Sequence, residues 1–138
     1  MILLDTNVLS ELTKPRPAVQ VVEWLDENEP RLALPTIAVA ELRYGIERLP
    51  EGRRKQSLLR FWVETKRRFA GRIFPFDVRA AETYGVIIAA AERRGRTVKV
   101  GDGQIAAIAL VEKMKVATRD MDDFAPTGIA LTNPWDHV

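Results

Sequence analysis

The chain has 138 residues, 46% of them apolar, which suits one domain folded around a single core. It has no cysteine and one histidine, His137, beside the C-terminus; this excludes disulfides, thiolate nucleophiles, Cys-based zinc sites and catalysis by a histidine pair, and leaves a Ser-His-Asp triad only if the tail folds back. The net charge is +2, yet Arg43 to Arg79 carry eleven Lys/Arg against four Asp/Glu, a local +7 that leaves −5 elsewhere, so the segment is either an attractor of phosphate backbones or a solvated helix face.

In chain order, "ILLD" at 2–5 is an apolar run without alternation, the pattern of a short strand buried on both faces, and it ends on Asp5. Thr6 or Asn7 can cap the helix that follows, and "KPRP" stops it. "PAVQVVEWLDENE" at 17–29 is amphipathic, with Val19, Val22, Trp24 and Leu25 available to a core. "RLALP" is a second strand. "TIAVAELRYGIERL" at 36–49 is a helix with Thr36 as its cap and Ile37, Ala40 and Tyr44 at helical spacing. "PEGRRKQSLLRFWVETKRRFAG" opens on a turn and closes on Gly71, a helix stop.

"RIFPF" is a third strand. "DVRAAETYGVIIAAAERRG" is a long helix with Asp77 at its start, arginines in its last turn and Gly95 after it, as the helix dipole favours. "TVKVGDGQIAAIALVEKM" sets Gly-Asp-Gly before an Ala-rich helix, "KVATRD" is a fourth strand, and "GIALTNP" a fifth. Strands alternating with helices predict an α/β fold of three layers, α/β/α, with a mainly parallel sheet of four to five short strands. Residues 1–138 show no repeat or linker and read as a single domain. No apolar stretch is long enough to span a membrane, and no targeting segment is visible, so a soluble cytoplasmic protein is expected.

Four acids occupy positions that such a sheet can bring to one edge. Ligands bind outside the carboxyl ends of parallel strands. Asp5 and Asp120 follow strands, Glu41 lies in "AVAELRYG", and Asp102 sits between two glycines that keep side chains away from a ligand. Taken singly, each has an ordinary role: a helix-start carboxylate, the edge of an amphipathic helix, a turn. Taken together they repel, and no Lys or Arg stands beside Asp5 or the inward face of Glu41. A cation resolves the repulsion, and oxygen-only ligands select Mg²⁺ or Mn²⁺ over zinc.

"LLDTNVLSEL", "TIAVAELRYGIERL", "VGDGQIAAIAL", "VATRDMDDF" and "NPW" together resemble the PIN-domain ribonucleases, and more narrowly the VapC-type toxins of bacterial toxin–antitoxin pairs, including the FitB-like branch. The resemblance runs from Met1 to about Asp136. It implies a PIN-like fold and a pocket binding Mg²⁺ or Mn²⁺ that hydrolyses RNA. By position, Asp5, Glu41, Asp102 and Asp120 match the family's four metal-site acids, which are also its catalytic residues. Thr6, Asn7 and Thr118 stand where they can orient the carboxylates. At the fourth position Asp122 and Asp123 compete with Asp120.

The implied mechanism is metal-ion hydrolysis with no side-chain nucleophile, one carboxylate, Glu41 or Asp120, taking the water's proton. Arg43, Arg53 and Arg54 are candidates to guide the RNA backbone. The implied partners are an RNA substrate, a cognate antitoxin whose arginine enters the acidic pocket, a second copy of the chain, and a larger toxin–antitoxin assembly held on operator DNA through the antitoxin. The apolar Leu58, Leu59, Phe61 and Trp62 are the residues that suggest the homodimer. Two other classes compete. A phosphoryl-transfer domain would want a second acid where Asn7 stands, or a lysine at a late strand end. A non-catalytic nucleic-acid-binding module with structural acids would show no metal dependence.

Overall fold

The first apolar run becomes the central strand. In the computed structural model, which describes residues 1–138, β1 (Ile2–Leu4) is buried at every residue and pairs in parallel with β2 (Leu32–Pro35) on one side and β4 (Lys115–Ala117) on the other. β3 (Ile73–Phe74) adds outside β2, and β5 (Leu131–Thr132) outside β4, again in parallel. The sheet has the order β3-β2-β1-β4-β5, so it is wholly parallel and five-stranded. The chain winds outward from β1 to β3, then returns to the other side of β1. That reversal puts a crevice between the carboxyl ends of β1 and β4.

Alternation within β1 splits the core in two. Ile2 and Leu4 join Leu32, Leu34, Val8, Val21, Trp24, Leu42, Ile46 and Phe69 on one face. That face is covered by α1 (Thr6–Glu11), α2 (Val19–Asn28), α3 (Thr36–Glu47) and α4 (Arg53–Arg68). Leu3 joins Ala33, Val116, Ile105, Ile108 and Phe124 on the other, under α5 (Val78–Arg93), α6 (Val100–Val111) and α7 (Met121–Phe124). A strand covered on both faces has no polar side, which is why the run "ILL" lacks alternation. This is the three-layer α/β/α arrangement that the sequence predicts.

Four local expectations are corrected. Asp5, not Thr6 or Asn7, caps α1, its Oδ1 accepting from Thr6 N at 2.8 Å. Thr36 is the first residue of α3 rather than its cap, and its hydroxyl accepts from Phe76 N at 3.3 Å. On α3 the buried stripe is Ala38, Leu42 and Ile46, while Ala40 and Tyr44 face water. This helix has apolar residues on more than one flank, and packing against α1 and the sheet selects the stripe. On α2 Val21 is buried and Val19 exposed, for the same reason.

Leu58, Leu59, Phe61 and Trp62 of α4 pack partly buried against the first core, so their apolar character is largely used inside the monomer. No helix is long and apolar enough to cross a membrane.

Candidate active site

Two buried acids begin and end α1, and they are treated oppositely. Glu11 is neutralised: its Oε1 is 2.7 Å from Lys14 Nζ, and its Oε2 accepts from Ala18 N at 2.8 Å, tying the end of α1 to the start of α2. The Lys14 bond, with the Ala18 N–H second, holds the Glu11 carboxyl below the usual carboxylate range. Asp5 is 6% exposed and has no cation. Its Oδ2 accepts from Thr118 Oγ1 at 2.7 Å, and its Oδ1 from Thr6 N. Burial raises its pKa; the two hydrogen bonds oppose this, and the charges of Asp120 and Glu41 add to the rise.

Thr118 is the hub that ties the first acid to the fourth. It follows β4 and is fully buried. While its hydroxyl donates to Asp5, it accepts from Asp120 N at 2.9 Å. Asn7, in the first turn of α1, donates from Nδ2 to Asp120 Oδ2 at 3.1 Å and to Thr118 Oγ1 at 3.5 Å, and its Oδ1 accepts from Arg119 N at 3.4 Å. The ends of β1 and β4 are thus laced together by the side chains of Asp5, Asn7, Thr118 and Asp120. Asn7 and Thr118 orient carboxylates as the sequence suggests. Thr6 does so through its backbone; its own hydroxyl is buried beside Asp5 without a partner.

Asp102 lies in the first turn of α6, half-buried. Burial first, then the charges of Asp5 and Asp123, push its carboxyl up to about 6, with Asp120 adding to them and Lys99 opposing. Glu41 is exposed on α3, and its Oε1 would stand 3.1 Å from a Cβ on Gly101. Asp5 feels the charges of Asp120 and Glu41, and Asp102 those of Asp5 and Asp120, so the four predicted acids lie near enough for these pairs to perturb one another. In the side-chain positions present, no three acids converge tightly enough to grip an ion.

Within "TRDMDDF" the structure separates the three candidates. Asp120 is joined to Asp5 through Thr118 and Asn7. Asp123 is 3.0 Å from Lys99 Nζ, which raises the lysine's pKa, and Asp122 is exposed on α7. The two glycines beside Asp102 also differ. Gly101 faces Glu41, but a Cβ on Gly103 would lie 2.8 Å from Tyr84 Cε2 and 2.9 Å from Ile88 Cδ1. Gly103 thus serves the packing of α5 on α6, not access to the site.

Of the predicted basic guides, Arg43 is paired with Glu47 at 2.7 Å and Arg54 donates to Thr13 O at 2.8 Å, while Arg53 is exposed. The cation beside the acids is Lys99, which sequence reading missed. Its position three residues ahead of Asp102, at the cap of α6, was the available signal. His137 does fold back, but onto α2: its Nε2 lies 3.2 Å from Glu27 Oε2. No triad forms.

Residues 2–128 match the model of the PIN domain family. The chain is 43% identical over 137 residues to Toxin FitB of Neisseria gonorrhoeae, covering 98% of this chain and 99% of that protein. It is 41% identical over 138 residues to VapC ribonuclease Y4jK of Sinorhizobium fredii, covering 99% of each. The solved structure of FitAB bound to an IR36 DNA fragment superposes with a TM-score of 0.93 at 43% identity, covering 100% of this chain and 97% of that one.

Proposed function

Because the chain belongs to the PIN-domain family, in its FitB-like, VapC-type branch, we propose that it is the endoribonuclease toxin of a toxin–antitoxin pair and hydrolyses RNA phosphodiester bonds with Mg²⁺ or Mn²⁺. The observation that carries this reading is Asp5, a buried carboxylate without a cation, ringed by Glu41, Asp102 and Asp120. A buried unpaired charge is costly, and a second carboxylate nearby makes it more so. The donors are all oxygen, Asp5 is perturbed by Asp120 and Glu41 and itself perturbs Asp102, and the buried hydroxyl of Thr6 next to Asp5 is unpartnered, which suits a hard divalent cation.

Asp5, Asp102, Glu41 and Asp120 would hold the ion. When bound, it supplies the positive charge that makes a water nucleophilic near neutral pH and steadies the leaving oxygen. The remaining work falls to the chain. Thr118 and Thr6 N fix both oxygens of Asp5, so this carboxylate presents one orientation. Asn7 fixes Asp120. Glu41 is exposed and carries no side-chain hydrogen bond, which leaves it free to accept a proton from the attacking water and release it to solvent. Lys99, beside Asp102, offsets the repulsion an incoming phosphate meets at an acidic crevice.

The same acids explain inhibition by an antitoxin. A guanidinium can replace the ion through bidentate hydrogen bonds to carboxylates. A cleft between α1, α3 and α4, lined by Ser10, Leu42, Leu49, Leu58 and Glu41, offers an apolar path to the site for the partner's segment. The toxin then acts in the cytoplasm, as a homodimer, and reaches operator DNA only through its antitoxin. The test is cleavage of RNA by purified protein with Mg²⁺, with Mn²⁺ and with EDTA. Equal cleavage in all three would remove the metal mechanism.

A further inference from the structure

The flank of α3 that bears Glu41 continues past the acids. Ile37 Cγ2 and Glu41 Oε1 would stand 3.9 Å and 3.1 Å from a Cβ on Gly101, so this flank faces the start of α6. At about 100° per residue, Tyr44 and Arg48 extend it one and two turns further. Glu47, three residues past Tyr44, also borders this flank, but its carboxylate is taken up by Arg43 at 2.7 Å. Tyr44 is 66% exposed although the buried stripe of α3 is complete without it. The Arg48 guanidinium carbon lies 5.5 Å from the centre of its ring. Arg48 is exposed and makes no ion pair.

An aromatic ring in water, steadied on one side by an uncommitted guanidinium and standing beside a carboxylate of the site, has the make-up of a nucleotide platform. Base–aromatic stacking tolerates any base, and the arginine adds attraction for phosphate. We propose that Tyr44 and Arg48 bind one unpaired nucleotide of the RNA next to the cleaved bond, the base stacking on Tyr44 and its phosphate meeting Arg48. This rests on the ribonuclease reading and deepens it. Charge complementarity and continuity with Glu41 favour nucleic acid over an apolar protein partner here. A base inside a duplex cannot reach the ring, so the platform selects unpaired RNA.

The test uses the full-length protein and an unstructured, fluorescently labelled RNA 12-mer, with the same sequence in a duplex as control. Tyr44→Ala should raise KM about tenfold with kcat within about twofold. It should weaken anisotropy-measured binding by the same factor in an Asp5→Asn background. Tyr44→Phe should stay near wild type, and Arg48→Gln should weaken binding while lowering its salt dependence by about one charge. An unchanged KM for Tyr44→Ala would overturn the platform, as would equal losses for Phe and Ala. So would loss of oligomer mass in light scattering, which would make Tyr44 an interface residue. If wild type cleaves RNA and Tyr44→Ala matches it, the platform alone falls. If wild type binds labelled RNA through Tyr44 but cleaves none, the ribonuclease reading alone falls. If it neither binds nor cleaves, both fall.

Discussion

Thr118 illustrates how much of the site depends on atoms that are not ligands. Its hydroxyl serves Asp5, Asp120 N and Asn7 at once. Thr118→Val keeps the shape and strands both a buried carboxylate oxygen and an amide. The expected cost is about 1–3 kcal/mol of stability, with RNA cleavage lowered roughly 10- to 100-fold, the range for partners that orient metal ligands. Thr118→Ser, which keeps the hydroxyl, should behave nearly as wild type; thermal melting and cleavage rates check both. Asp102 gives a pH test. Its folded pKa of about 6 lies above the ordinary value of 3.8, so stability from this group is fully present below that ordinary value and is lost as pH rises through 6. In chelator, Asp102→Asn should therefore gain in Tm over wild type at pH 7.5 and gain little at pH 4. Mg²⁺ should narrow the gap at pH 7.5 by stabilising wild type. A gap of equal size at both pH values would mean that Asp102 does not carry the strain. Asp5 and Asp102 stand out in the sequence because charge ends an apolar run at the first and sits between glycines at the second. Lys99 was marked only by its place three residues ahead of Asp102, and the exposure of Tyr44 had no mark at all, since the facing of α3 is set by packing.

At the scale of elements, α6 has two jobs that its two glycines divide. Gly103→Ala would drive a methyl against Tyr84 and Ile88 on α5, and overpacking of this kind costs about 1–3 kcal/mol. Gly101→Ala meets only the flexible end of Glu41 and, at ordinary contact distance, Ile37. Gly103→Ala should thus lower Tm with activity per folded molecule retained. Gly101→Ala should keep Tm and lower cleavage by displacing Glu41. Urea unfolding and single-turnover rates separate the two, and a reversal of the pattern would contradict this division of roles. The elements themselves were legible from periodicity and stop signals: Asp77 caps α5 and Gly95 follows it at φ 70°, as read. The facing of α3 was not. Its apolar residues permit two stripes, and the choice of Ala38, Leu42 and Ile46 is made by α1 and the sheet, which local sequence does not encode. Thr6 and Asn7 are the usual cap residue types, yet the other reading of Asp5, a helix-start carboxylate, is the one the structure adopts.

For the whole molecule, the order β3-β2-β1-β4-β5 makes the site possible, since it brings residues 5 and 120 together across β1 and β4. Alternating strands and helices predict a parallel sheet; they do not predict which strands neighbour, and the crevice follows from that order. The cationic segment from Arg43 to Arg79 does not simply line the crevice: Arg43, Lys55, Arg67, Arg68 and Arg72 are engaged in ion pairs on α3, α4 and its end. An antitoxin segment that inserts an arginine among the acids should silence cleavage even in excess Mg²⁺. Replacing that arginine by alanine should restore cleavage while much of the apolar binding persists, as read by RNA cleavage and by co-purification. Full silencing by the alanine variant would mean that covering the site suffices.

Asp5 is a buried carboxylate without a cation, and the proposed function gives it a divalent ion. The most direct measurement is isothermal titration of Mg²⁺ or Mn²⁺ into metal-free wild type and Asp5→Asn, with RNA cleavage followed on the same samples. Asn keeps the acceptor for Thr6 N, so the fold should persist and Tm should hold or rise. Wild type should bind the ion and cleave RNA, and Asp5→Asn should lose both. Unimpaired ion binding and cleavage by a folded Asp5→Asn protein would contradict the account.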